Sequence, residues 1–267
     1  MPFVRLESID DPRLTPFREL PSSRREQREG VFVAEGHWLV ERMWRSPHQV
    51  LSVLAAEDRL QDLADDLVAS VPVYVLTATQ LSAVVGYPFH RGVLGCGQRL
   101  ETAGLINYVS GSLDNQPVWL ALDGIADPEN IGGILRNAAA FGAGGVLLGR
   151  GCADPYSRRV LRVSMGNVFK LRWLESPDLA RDLRILRQEL EFTSIATVLD
   201  PAAEALSTAT RPGRMVLIFG SEGHGISAEV MASCDRRITI PMQLGTDSLN
   251  VATAAALFLY EFCNRRG

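Results

Sequence analysis

Lysine is nearly missing from this chain of 267 residues: of 27 basic side chains only Lys170 is lysine, and the other 26 are arginine. Arginine suits bidentate phosphate contacts and stacking, but the replacement runs through the whole sequence, so compositional bias is the simpler reading. An apolar run of the roughly 18 to 20 residues needed to span a bilayer is also missing. The longest candidate, "VATAAALFLYEF", is short and ends in charge, and no membrane partner is expected. The amino terminus "MPFVRLESIDDPRL" has no apolar core of a secretory signal. Cys96, Cys152, Cys234 and Cys263 form no CxxC pair and have no histidine at ligand spacing. Reduced thiols in a cytoplasmic protein, and no bound metal, are the expectation. Neither a G-x-G-x-x-G fingerprint nor a phosphate-loop lysine occurs, which weakens a dinucleotide or ATPase reading.

The remaining composition is that of a globular protein, 46% hydrophobic and 22% charged. A net charge of −4 argues against a surface coated in basic residues, although a local patch suffices to hold nucleic acid. Short strand and helix patterns alternate through residues 1–100: "GVFVAEG", "HWLVERMWRS", "VLSVLAA", "DRLQDLADDLVAS", "VPVYVLT", "ATQLSAVVG" and "RGVLGCG". Turn residues and weak periodicity place a linker at 101–116. From 117 to 267 continuous apolar strands alternate with helical stretches, which predicts a parallel sheet covered on both faces. The fold class is therefore α/β, with a smaller α/β domain preceding a larger one.

Three segments of the second half concentrate polar residues directly after buried strands. "NIGGILR" follows "VWLALDG", "GSEGHG" follows "RMVLIFG", and "IPMQLGTDSLNV" follows "RRITIPM". Ligands of open α/β sheets bind beyond the carboxyl ends of the strands, so loops distant in sequence are expected to meet at one site. They carry Asn130, Arg136, Glu222, Ser248 and Asn250. Asn130 reads as the cap of the helix that follows it, and Ser248 as the cap of the last helix with Asn250 in its first turn. Gly132 and Gly133 open a helix they disfavour by about 1 kcal/mol each, which points to something approaching the backbone closely. Arg136, about 9 Å along the axis from Asn130, suits a phosphate. Read singly, each segment is equally a capped helix or a solvated turn.

In order, spacing and residue type together, the three segments resemble the motifs of the SpoU (TrmH-like) RNA ribose 2′-O-methyltransferases of the SPOUT superfamily, over roughly residues 117–265. "RREQREGVFVAEGHWLVE" and "HRGVLGCG" more loosely resemble the L30e-like RNA substrate-binding domain often fused to them. The resemblance implies a trefoil-knotted domain at 117–267 behind an L30e-like domain at 1–100. It implies S-adenosylmethionine held by Gly220, Ser221, Gly225, Ile240, Met242 and Leu249, catalysis by Arg136, Asn130, Glu222, Ser248 and Asn250, and a homodimer joined at the knot. The substrate it implies is RNA, ribosomal first and transfer RNA second. Arg24, Arg25, Arg28, His90 and Arg91, with Phe32 and His37, are the candidate RNA contacts of the first domain. A non-catalytic RNA-binding homologue that keeps the knot for dimerisation is the alternative, and an unrelated α/β enzyme binding a nucleotide phosphate is a third reading. Two departures from the family pattern are Ala252, where many relatives have serine, and Asn167, where a small residue is common.

Overall fold

Parallel strands buried on both faces need helices above and below them, and the second half of the chain supplies both. The computed structural model describes residues 3–18, 30–100, 104–111 and 117–264. The chain divides into two compact units, Met1–Glu101 with Tyr156–Phe169, and Thr102–Pro155 with Lys170–Gly267.

The first unit is built on β1 (Val4–Arg5), β2 (Val31–Glu35), β3 (Val50–Ala56), β4 (Val73–Leu76) and β5 (Val93–Gln98), with α1 (His37–Trp44), α2 (Asp65–Ser70) and α3 (Ala78–Val85). Its sheet runs β1-β4-β3-β5-β2, parallel from β1 to β3 and antiparallel on both sides of β5. The sequence predicts α3 closely because Thr77 and Gln80 form a reciprocal capping box, each accepting the other's backbone N–H. It misjudges "DRLQDLADDLVAS": extended backbone at Leu63 and Ala64 splits that stretch into a 3-10 turn, Glu57–Asp62, and α2.

Leu14, Phe17, Leu54, Leu81 and Val85 are among the residues of an apolar core in the first unit. A separate aromatic cluster joins Phe32, His48, Tyr156 and Phe169. Phe32 stacks on Tyr156 with centroids 4.4 Å apart, and His48 meets Phe169 edge-on at 5.2 Å. The sequence places residues 156–169 in the carboxy-terminal domain, yet these aromatics pack them into the first unit. Phe32 is fully buried there, which removes it from the candidate RNA contacts.

The second unit contains α4 (Leu105–Ser110), β6 (Val118–Asp123), α5 (Pro128–Ala140) and β7 (Gly145–Leu148). After the excursion that carries α6 (Arg158–Val163), it resumes with β8 (Trp173–Glu175), α7 (Leu179–Leu190), β9 (Thr193–Val198), β10 (Glu204–Ala205), β11 (Met215–Gly220), α8 (Ala228–Ala232), β12 (Arg236–Thr239) and α9 (Val251–Asn264). Its seven strands run β10-β12-β9-β11-β6-β7-β8 and every pairing is parallel. All carboxyl ends therefore lie on one edge.

α5 packs lengthwise on α9. A Cβ added at Gly133 would stand 2.9 Å from Cβ of Ala252, so the close approach implied by the paired glycines is that of α9. Asn137 Nδ2 secures the contact by donating to the Ala252 carbonyl at 2.9 Å. The packing also gives Ala252 a physical role, since its methyl faces the notch left by Gly133.

Candidate functional site

Strands β6, β11 and β12 deliver their loops to the shared carboxyl edge, with β9 between β11 and β12. Asp123 at the end of β6 accepts the Ser227 N–H at 2.8 Å, tying the first loop to the exit of the second. The β11 loop closes on itself: Gly225 N–H donates to Ser221 O at 2.8 Å, and the two residues form an isolated antiparallel bridge. A Cβ at Gly220 would lie 2.1 Å from the Gly225 carbonyl carbon. Only glycine allows the loop to fold back this tightly.

A cavity of about 330 Å³ opens between this loop, the ends of β9 and β12, and the start of α9. All six residues expected to hold a cofactor line it, namely Gly220, Ser221, Gly225, Ile240, Met242 and Leu249, together with Glu222 and Ser248. Phe219, Val251 and Phe258 give it an apolar wall. Sequence reading misses Thr197, Val198 and Leu199, which also line it. They lie at the end of β9, and nothing local in the sequence says that β9 slots between β11 and β12.

Three of the polar residues meet directly. Asn130 Nδ2 donates to Glu222 Oε1, and Asn250 Nδ2 donates to Asn130 Oδ1 at 2.8 Å. Asn130 is buried, so both ends of its amide are paired, as a buried polar group requires. The helix caps differ from the sequence expectation. Asp127, followed by Pro128 at the first helical position, caps α5 by accepting the Glu129 N–H at 2.9 Å. Asn130 is thus inside the first turn, with its amide free to bridge loops. Asn250, not Ser248, caps α9: its Oδ1 accepts from Ala252 and Thr253 N–H, and its carbonyl accepts from Ala254.

Arg136 is exposed, does not line the cavity, and its side chain makes no hydrogen bond or ion pair among the described residues. At about 100° per residue it projects roughly 240° around α5 from Asn130, on the flank of the face that meets α9.

Burial raises the thiol pKa of Cys152, and lifts those of Cys234 and Cys263 to about 11. These groups stay protonated near neutrality and are poor nucleophiles. No group of three or more acidic, cysteine or histidine side chains is arranged to hold a metal among the described residues, nor is any described helix long and apolar enough to cross a membrane.

Of the candidate RNA contacts, Arg24, Arg25 and Arg28 lie outside the described residues. His90 and Arg91 are exposed and, with His37, line a cavity of the first unit.

Comparison with known proteins adds to this geometry. The model of the SpoU rRNA Methylase family matches residues 117–260. An uncharacterized tRNA/rRNA methyltransferase of Mycobacterium bovis is 37% identical over 261 residues, covering 94% of this chain and 88% of the relative. The 23S rRNA (guanosine-2′-O-)-methyltransferase RlmB of Acinetobacter baylyi is 28% identical over 230 residues, covering 82% and 91%. The crystal structure of an AdoMet-bound rRNA methyltransferase from Sinorhizobium meliloti superposes with a TM-score of 0.81 at 24% identity, covering 96% of each chain, a likeness that shows the fold.

Proposed function

The chain belongs to the SpoU rRNA methylase family, and we propose that it methylates a ribose 2′-hydroxyl of ribosomal RNA, using S-adenosylmethionine. The observation that carries this reading is the hydrogen-bonded chain Glu222–Asn130–Asn250, one residue from each motif, with Glu222 on the cavity wall. It gives the three segments a common place in the fold, which separate helix caps would not require.

The cavity fits the cofactor in size and lining. Its volume is at the lower end of small-molecule sites, its walls are apolar at Ile240, Met242, Leu249 and Phe258, and Ser221 and the Gly220–Gly225 backbone offer hydrogen-bonding groups. When bound, the cofactor supplies an electrophilic methyl group on a sulfonium. Asn130 fixes Glu222 and Asn250 relative to each other and so sets the shape of the cavity mouth. Arg136, its side chain free of protein partners among the described residues, anchors the RNA phosphate and stabilises the charge developing on the ribose oxygen. Ser248, on the cavity wall, serves as a hydrogen-bonding group toward ribose or cofactor.

In this reading the second unit is the trefoil-knotted SPOUT domain and the first the L30e-like RNA-binding domain, and the protein acts in the cytoplasm as a homodimer. The exposed α9 face carrying Leu257 and Tyr260, extended by Phe141 against the Tyr260 ring at 6.2 Å, is the apolar surface for the second copy.

The test pairs titration calorimetry with methyl transfer from tritiated cofactor to ribosomal RNA. S-adenosylmethionine is expected to bind in preference to NAD and ATP. Arg136→Ala is expected to lower transfer by about 100-fold or more while cofactor affinity stays unchanged. Near wild-type transfer by that variant would remove Arg136 from the mechanism. Absence of cofactor binding to the wild-type protein would end the whole reading.

A further inference from the structure

Trp38 is the most exposed aromatic side chain described, at 66%, and it stands at the mouth of a second cavity of about 330 Å³ contained within the first unit. β2 ends at Glu35, Gly36 turns the chain with φ +94°, and α1 begins at His37. Trp38 is thereby presented in the first helical turn, with the His37 ring 4.8 Å away. Guanidinium groups come from four separate places: Arg42 on α1, Arg59 on the 3-10 turn after β3, Arg91 before β5, and Arg162 on α6. The only carboxylate in the lining, Glu35, is neutralised by Arg158 and also accepts the Tyr87 hydroxyl at 2.7 Å. Arg59 is paired with Asp62 at 3.6 Å, and Arg42, Arg91 and Arg162 leave the lining net positive in a protein whose net charge is −4.

Two further residues shape the lining of the cavity. The Arg162 guanidinium makes no hydrogen bond or ion pair among the described residues. Met165, on the rim and 47% exposed, is one of three non-glycine residues described with positive φ, at 54°. Its turn is pressed onto α1: Arg42 donates to the Met165 carbonyl, and a Cβ at Gly166 would stand 2.9 Å from Leu39 Cδ2. Met165 is the left-handed residue of a Schellman cap on α6, with Met165 N–H donating to the Arg162 carbonyl at 3.1 Å and Gly166 N–H to the Leu161 carbonyl at 2.9 Å, and the cap holds an unbranched apolar side chain at the rim.

We infer that this cavity takes one unpaired nucleotide of an RNA strand, its base stacked on Trp38 beside Met165 and its flanking phosphates held by Arg162, Arg91 and Arg42. An exposed indole ringed by guanidinium groups matches the two requirements of single-strand binding, a π-face and a positive track for the backbone. A paired base is unavailable to such a site because both its faces are already stacked. The inference deepens the proposed function and rests on it for RNA as the substrate. It assigns base capture to Trp38, Arg162 and Met165, which reading the sequence did not single out.

Binding of a short oligoadenylate to the full chain, alone and annealed to its complement, tests it. The single strand is expected to bind more tightly than the duplex and to quench tryptophan fluorescence. Trp38→Ala is expected to weaken single-strand binding about tenfold, with most of the affinity retained in Trp38→Phe. Arg162→Gln is expected to reduce the slope of log affinity against log salt by about 0.7, the value for one phosphate. Unchanged affinity in Trp38→Ala together with an unchanged slope in Arg162→Gln overturns the inference, as does equal binding of duplex and single strand by the wild-type chain. A peptide displacing the oligonucleotide from the wild-type chain, with no loss of oligonucleotide affinity in Trp38→Ala, also overturns it. Cofactor calorimetry separates the two proposals. If the wild-type chain binds S-adenosylmethionine but Trp38→Ala binds oligoadenylate normally, only this inference falls; if Trp38→Ala loses the oligonucleotide while the wild-type chain ignores the cofactor, the methyltransferase reading falls.

Discussion

Gly220 and Gly223 lie three residues apart in one loop and answer to different physics. A side chain at 220 collides with backbone at 2.1 Å, whereas at 223 nothing lies within 4 Å and φ is not positive. Gly220→Ala is expected to open the loop and weaken cofactor binding by about 100-fold or more, an order of magnitude set by the several kcal/mol that such a backbone clash imposes. Gly223→Ala should bind like the wild type, and calorimetry on the pair distinguishes loop closure from a general intolerance of glycine replacement. His48 makes a second residue-scale case. Buried between Ser46 Oγ at 2.9 Å and the Tyr156 hydroxyl at 2.8 Å, its imidazole is held down to about 4 by burial. The unfolded chain protonates that ring near pH 6.5, so between about 6.5 and 4 the unfolded state binds more protons. Stability is then complete above pH 6.5 and falls with acidification by at most about 3 kcal/mol. Denaturant melts at a series of pH values should show that slope, and His48→Gln should flatten it.

Helix α5 shows which parts of an element can be read from sequence and which cannot. Its existence and length follow from apolar periodicity, but its cap does not: Asp127 and Asn130 are both good caps, and only the bridge to Glu222 and Asn250 decides between them. The same ambiguity moved the start of α9 from Ser248 to Asn250. Strands β6 and β11 were legible because their near-continuous apolar runs have no exposed face. Strand order was not, since parallel neighbours are joined by long crossovers whose placement depends on the whole sheet; Thr197 to Leu199 stayed hidden for that reason. Two-residue strands such as β1 and β10 carry too few side chains for any period to register. The α5–α9 contact is open to experiment. Gly133→Val puts a branched side chain against Ala252 and is expected to cost about 1–3 kcal/mol by overpacking, read as a lower denaturation midpoint at unchanged slope.

On the scale of the whole molecule, the apolar face of α9 and the segment Tyr156–Phe169 matter most. If two copies meet through Leu257 and Tyr260, the double variant Leu257→Glu, Tyr260→Glu should halve the mass measured by light scattering and lower methyl transfer with it. An unchanged mass would dissociate that face from assembly. The segment Tyr156–Phe169 was illegible because its helical pattern fits either unit, and only the aromatic partners Phe32 and His48 say where it belongs. Its placement also orders events at the ribosome. The amino-terminal sheet emerges first, yet Phe32 and His48 wait without their aromatic cover until translation has passed Phe169, by which time β6 and β7 of the other unit have already been made. The nascent chain cannot finish its first half before beginning its second, and for that interval the surface that Tyr156 and Phe169 later seal stays uncovered.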